Sequence, residues 1–253
     1  MQNYTTNAIN LKTYNLSETD KIVVMYSQDK GIIKGVAKGA KKTTSKFGGR
    51  MDTLIANKLL LHKGKNLNTI CQAQAINTFK KTRTDMDKLF YSMYCSEIVN
   101  SFGVENDPNS EEIYDLFYKT LNSISESQNK IAILLSVLKF QLKMMHIAGY
   151  SLELESCACC GGIPEKDDIY FSARSGGIVC FDCKKHEIKT TKLHYKIRDF
   201  LNTLLQLDYS EKSRYDELAT EKICEFCFSL LNSHIEYFSP KKIKSGQILE
   251  MTK

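Results

Sequence analysis

No stretch of this sequence is long and apolar enough to cross a bilayer. Its longest apolar run, residues 131–138, is eight residues long, where a membrane helix needs about twenty. The first residues carry neither the basic segment nor the apolar core of an export signal. Catalytic constellations are missing too. His62, His146, His194 and His234 have no spacing to one another that suggests catalysis, and no serine–histidine–aspartate order or paired-carboxylate signature stands out. His186-Glu187 opens like a zinc-protease motif but finds no histidine at position 190. Residues 35–44 resemble a phosphate loop, which needs four residues between its glycines; Gly35 and Gly39 have three, and two lysines precede Thr43. No enzyme is expected. Charged and apolar fractions of 25% and 42% are ordinary for a folded chain. Nine cysteines without an export signal point to reduced thiols and metal, and hence to the cytoplasm.

Acids are absent from one stretch in particular. Residues 30–51 hold seven basic side chains, Lys30, Lys34, Lys38, Lys41, Lys42, Lys46 and Arg50, and no carboxylate. That segment carries +7 against +6 for the whole chain, so the remainder sums to −1. A positive field this local is the footprint of a polyanion contact, and these seven residues are the candidate nucleic-acid ligands. Tyr4, Tyr14, Tyr26 and Phe47 flank or interleave with the cations, an arrangement that suits base stacking. Phe47 is the aromatic expected at the surface.

The chain is organised around Cys157-Ala158-Cys159-Cys160, answered by Cys180-Phe181-Asp182-Cys183. Two CxxC knuckles separated by nineteen residues fit the spacing of a zinc ribbon. Cys157, Cys160, Cys180 and Cys183 would supply four thiolates to one Zn2+, leaving no open coordination position, so the metal is structural. Cys159 could replace Cys160, and His186 lies close enough in sequence to substitute for Cys183. Cys224 and Cys227 repeat the spacing within a helical pattern and read as buried apolar thiols.

Five β runs at about residues 8–12, 21–26, 32–37, 53–61 and 67–73, joined by short polar turns, suit a small closed barrel; five strands favour an OB-fold. From Arg83 the apolar period becomes helical, with Met86, Leu89, Phe90, Met93, Ile98, Val99 and Phe102 on one stripe. Further helices are expected from Asn109 or Ser110, over 130–148 with Gly149 as C-cap, over 192–207 and over 215–238. The expected fold class is therefore α+β and multidomain. Residues 1–80 form a five-stranded OB-fold barrel, and residues 81–253 an all-α domain with a four-cysteine zinc ribbon inserted at 155–187.

The run of motifs along the chain resembles the bacterial RecO family of DNA repair proteins. The likeness rests on residues 8–14, 18–23, 31–40, Gly48-Gly49, 69–73, 148–150, the two cysteine knuckles, Phe171-Ser172 and Gly176-Gly177. The resemblance implies binding of single- and double-stranded DNA and annealing of complementary strands. It also implies partnership with RecR and the single-strand-binding protein SSB, assistance to RecA loading within the RecFOR route, and a cytoplasmic, nucleoid-associated location. Two rivals remain at this stage: a zinc-ribbon, OB-fold RNA-binding protein of transcription or translation, and a metal-dependent nucleic-acid enzyme, for which no acidic cluster is visible.

Overall fold

Apolar residues at every second position drive the N-terminal part of the chain into five strands. They are β1 (Asn3–Asn15), β2 (Lys21–Ser27), β3 (Gly31–Ala37), β4 (Ala56–His62) and β5 (Asn68–Asn77), which close into an OB-fold-like barrel in the order β1-β2-β3-β5-β4. The computed structural model describes residues 2–206 and 219–246. The chain divides into two compact units, Met1–Ser125 and Glu126–Lys253.

Inside the barrel lie Ala8, Val23, Met25, Ile33, Leu59, Leu61 and Ile70, one set of alternating positions from all five strands. Closure is made by a short parallel pairing in which Gly35 faces Asn68 and Val36 faces Thr69. Gly35 is required there, because a Cβ would sit 2.8 Å from Ile70 Cγ1. The fourth strand begins at Ala56 rather than at residue 53. Leu54 has φ +58°, and Leu54 N–H donates to Asn10 O (2.9 Å), so the chain turns before it can pair as a strand.

Helix α1 (Met86–Phe102) starts where the Asp85 side chain accepts from Lys88 N–H. It buries Tyr91, Tyr94, Cys95, Ile98 and Val99, whereas Met86 and Phe90 stay exposed. The expected stripe is thus displaced, because amphipathic tyrosines take part of the covered face. Its C-terminal half lies over the barrel: Ser96 Oγ donates to Leu11 O at 3.3 Å. Helix α2 (Ser110–Glu126) follows the turn at Asp107, whose carboxylate accepts from Asn109 N–H.

The second unit opens on α3 (Lys130–Ile147), capped by Asn129 and ended by Gly149 at φ +83°. Strands β6 (Ile169–Ser172), β7 (Gly177–Val179) and β8 (Thr191–Leu193) form a small sheet in the order β7-β6-β8. Helix α4 (Phe181–Lys184) is a single turn, and α5 (Tyr195–Gln206) and α6 (Glu221–Phe238) pack with α3. Residues 192–193, expected in a helix, instead pair with β6, Lys192 opposite Tyr170. The expected helix positions Leu207 and 215–218 lie outside the described residues. Lys130 at the start of α3 is paired with Glu221 and Glu225, each at 2.8 Å, and these two hydrogen bonds raise its pKa. No described helix is long and apolar enough to cross a membrane.

Candidate nucleic-acid interface and thiol cluster

After β3 the chain leaves the barrel as a basic strap and returns at β4. Its first half is fastened to the β1–β2 turn. Gly39 N–H donates to Asp20 Oδ1 (2.8 Å), Lys41 N–H to Thr19 O (3.0 Å), and Lys41 Nζ to Ser17 O (3.1 Å). The Gly39 N–H, helped by the Thr19 hydroxyl, holds the Asp20 carboxyl below the usual carboxylate range. Gly39 itself has φ +69°, a conformation that a residue with a Cβ resists.

The second half crosses to β4 and β5. Lys46 Nζ donates to Cys71 O (2.9 Å), and Arg50 Nη1 donates to Lys46 O and Phe47 O. Buried Asn10 and Asn57 clamp the end of the strap: both side-chain amides donate to Arg50 O, at 2.8 and 2.9 Å, and Asn10 also reaches Asp52 O. Phe47 corrects the sequence reading. It is 1% exposed and belongs to the barrel core beside Ala40 and Met51, because an aromatic ring offers too much apolar area to leave over an open barrel end.

The seven cations of the acid-free segment divide between the strap and the β2–β3 hairpin. Lys38, Lys41, Lys42, Lys46 and Arg50 follow one another along the strap. Lys30 sits in the β2–β3 turn, 3.6 Å from Asp29 Oδ2 and over the Tyr4 ring, and Lys34 is exposed on β3. A further cation lies near the strap. Lys58, outward on β4, lines a cleft of about 520 Å3 with Lys46, Arg50, Gln72 and Gln74. Its signal is the single charge in an apolar strand, at an outward position between inward Asn57 and Leu59.

In the second unit, each knuckle is set by backbone turns. Cys157 N–H donates to Gly162 O (2.7 Å) and Gly161 N–H to Cys157 O (2.8 Å), with Gly161 at φ +74°. The four sulfurs of Cys157, Cys160, Cys180 and Cys183 lie within 4.8 Å of one another, a group that could hold a metal ion. Cys160 and Cys180 sulfurs are 3.9 Å apart, close to the edge of about 3.8 Å that four sulfurs at ~2.3 Å from one centre would have. Burial works to raise the Cys157 pKa, but N–H groups of Cys160, Cys180 and Cys159 outweigh it and bring the thiol down to about 6. A hydrogen bond with the Cys180 thiol pushes the Cys183 thiol the other way, up, so it is the spacing of the four sulfurs that fits a thiolate-bound cation.

Cys159 turns away from this group, with its sulfur 3.4 Å from Ser175 Oγ and 3.7 Å from Glu187 Oε1. His186 is likewise outside it. Cys224 and Cys227 are fully buried, and desolvation pushes their thiols up to about 11 and about 12.

Comparison with known proteins agrees along the whole length. Residues 1–79 match the family described as Recombination protein O N terminal, and residues 83–244 match Recombination protein O C terminal. A protein named DNA repair protein RecO from Desulforamulus reducens is 28% identical over 250 residues, covering 99% of this chain and 95% of its own length. A RecO from Thermoanaerobacter is 30% identical over 219 residues, covering 86% and 84%; one from Nostoc punctiforme is 35% identical over 191 residues, covering 72% and 63%. With both halves matched in order, on a barrel followed by a helical unit bearing a four-cysteine cluster, the chain belongs to the recombination protein O family of DNA repair proteins.

Proposed function

We propose that this protein binds single- and double-stranded DNA through the strap of its barrel and anneals complementary strands. With RecR, it would help RecA to load onto strands coated by SSB. The observation that carries the reading is the strap itself: five cations from Lys38 to Arg50 with no acid among them, on a segment tied to the barrel at Gly39, Lys41 and Arg50. Cations held in this way neutralise phosphates of two approaching strands and reduce their repulsion. Backbone contacts leave the base edges free to pair, so no covalent chemistry is needed.

Residues 1–80 are taken as the DNA-binding domain and residues 81–253 as the helical domain carrying the ribbon at 155–187. Cys157, Cys160, Cys180 and Cys183 would hold one structural Zn2+. Bound there, the metal supplies cross-linking of two knuckles and no reactive position. Cys157 and the backbone N–H groups around it prepare the thiolate form. A protein in this role would act in the cytoplasm, at the nucleoid.

The test reverses Lys38, Lys41 and Lys42 to Glu in the full chain. Affinity for a single-stranded oligonucleotide should fall, and the slope of log K against log[salt] should become shallower by about 2, at ~0.7 per lost contact. Annealing should fall in parallel while the far-UV spectrum is unchanged. Unaltered affinity, slope and annealing in a folded variant would overturn the reading.

A further inference from the structure

Small barrels of this type commonly offer the face of their second and third strands to a nucleic-acid strand. In this chain that face is largely taken. Ile9, Val24, Tyr26 and Ile32 alternate with the core set and so point outward, yet all are buried. What covers them is the chain's own α1 and the loop after it. Ile32 N–H donates to Val104 O (2.9 Å), Asn106 N–H to Lys30 O (2.7 Å), and Tyr26 OH to Asp107 Oδ2 (3.1 Å). Gly103 lies so close that a Cβ there would meet Tyr26 at 2.8 Å and Ile32 at 3.2 Å. Uncovering the face would break all three of these bonds together with the apolar contacts around Gly103.

The other side of the barrel is open. On β5, Gln72, Gln74, Ala75 and Ile76 are exposed, and Lys58 on β4 stands beside them. The cleft over this sheet is lined by Lys46 and Arg50 of the strap and by Lys58 of β4, and no carboxylate lines it. Lys46 and Arg50 are already pinned by hydrogen bonds to Cys71 O, Lys46 O and Phe47 O. Ordering them on a phosphate therefore costs less side-chain entropy than ordering a mobile lysine. Gln72 and Gln74, which also line it, carry amides with both donors and acceptors, which suits base edges of any sequence. At about 520 Å3 the cleft falls in the size range of small-ligand sites, enough for a short stretch of unpaired strand.

We infer that single-stranded DNA runs along the outer face of β4 and β5, its phosphates between Lys58 and the Lys46–Arg50 arm of the strap and its bases over Gln72 and Gln74. The inference rests on the nucleic-acid reading above and adds the face, the path and a ligand outside the acid-free segment.

Two full-chain variants and one protection measurement test it. Lys58→Glu should bind an oligo-deoxythymidine about tenfold more weakly at low salt, since one attraction at close range becomes a repulsion. Its salt slope should be shallower by at least ~0.7. Cys71, which lines the same cleft, should lose reactivity toward N-ethylmaleimide at saturating oligonucleotide, read by mass spectrometry of its own peptide. Parent-like affinity of a folded Lys58→Glu, or unchanged Cys71 reactivity, overturns the path. If Lys38, Lys41 and Lys42 reversal weakens binding while Lys58→Glu does not, only this inference falls; if Lys58→Glu alone weakens binding, the cleft stands without the outer strap. If neither does, the nucleic-acid reading falls with it.

Discussion

Asn10 and Asn57 are the most informative perturbation of the barrel, because they share one acceptor. Asn10→Ala removes two bonds of 2.8 Å, to Arg50 O and Asp52 O, and Arg50 O keeps the 2.9 Å bond from Asn57. At ~1 kcal/mol net per bond, with the Asp52 carbonyl left unpaired, the loss is about 2–3 kcal/mol. Part returns, since the Asn10 Oδ1 is itself buried without a partner and its removal relieves about 1 kcal/mol. The expected net is therefore about 1–2 kcal/mol. Asn57→Ala should cost well under about 1 kcal/mol, because its other bond, to Ile55 O, is long at 3.5 Å and its own Oδ1 is likewise buried without a partner. The double variant strips Arg50 O of both donors. It should exceed the sum of the singles by ~0.5–1.5 kcal/mol, the signature of a shared network. With no tryptophan and thirteen tyrosines in the sequence, urea unfolding is followed by tyrosine emission together with far-UV circular dichroism. If the two singles add to within ~0.3 kcal/mol, the shared clamp on the strap is refuted.

Zinc content should fall well below one per chain in Cys180→Ser and stay near one in Cys159→Ser, measured by elemental analysis; full occupancy after the Cys180 change sinks the four-thiolate assignment. Chelation of the parent protein should loosen the ribbon around β6 and β7, seen as faster amide exchange there, without altering exchange in the barrel strands. Burial among aromatic rings holds the pKa of His234 below 6.5, despite its ring bonding to Tyr150 O. The unfolded chain then binds a proton first, so His234 contributes stability that is complete above about pH 6.5 and is lost as pH falls toward its folded pKa. His234→Gln should flatten the acid side of the urea midpoint against pH; an unchanged profile refutes the assignment.

Strand and helix order were legible because each element carries its own period. The knuckles were legible because four ligand positions at fixed spacing have few other uses. What could not be read was decided across the sequence. The left-handed Leu54 that delays β4 depends on a bond to Asn10, forty-four residues earlier. The burial of the outward β1–β3 residues depends on α1 and its following loop, which no local pattern announces. The dispersal of the seven cations has the same cause: Lys30 and Lys34 belong to a hairpin, and only the strap after β3 gathers the others. Lys58 went unnoticed because a lone lysine in an apolar strand looks like ordinary solvation of an outward position.

Phe47 shows how the same segment can mislead. Set among lysines and glycines, it reads as a stacking platform, yet it is 1% exposed against Ala40 and Met51, with Lys46 Nζ 5.1 Å from its ring centroid. The strap is therefore held across the barrel by a side chain anchored inside it. Phe47→Ala should accordingly act first on stability, by about 3–5 kcal/mol for a buried aromatic truncated to a methyl. Phe47→Leu keeps most of the apolar volume and should cost about 1–2 kcal/mol, leaving a folded protein whose DNA affinity can be measured. If Phe47 were a stacking residue, the leucine variant would lose the ~1–3 kcal/mol of a base contact while its urea midpoint stayed with the parent. If it is the anchor, the midpoint falls and affinity at a temperature where the variant is folded remains within about twofold. A parent-like midpoint with weakened binding would return Phe47 to the surface and refute the anchored strap.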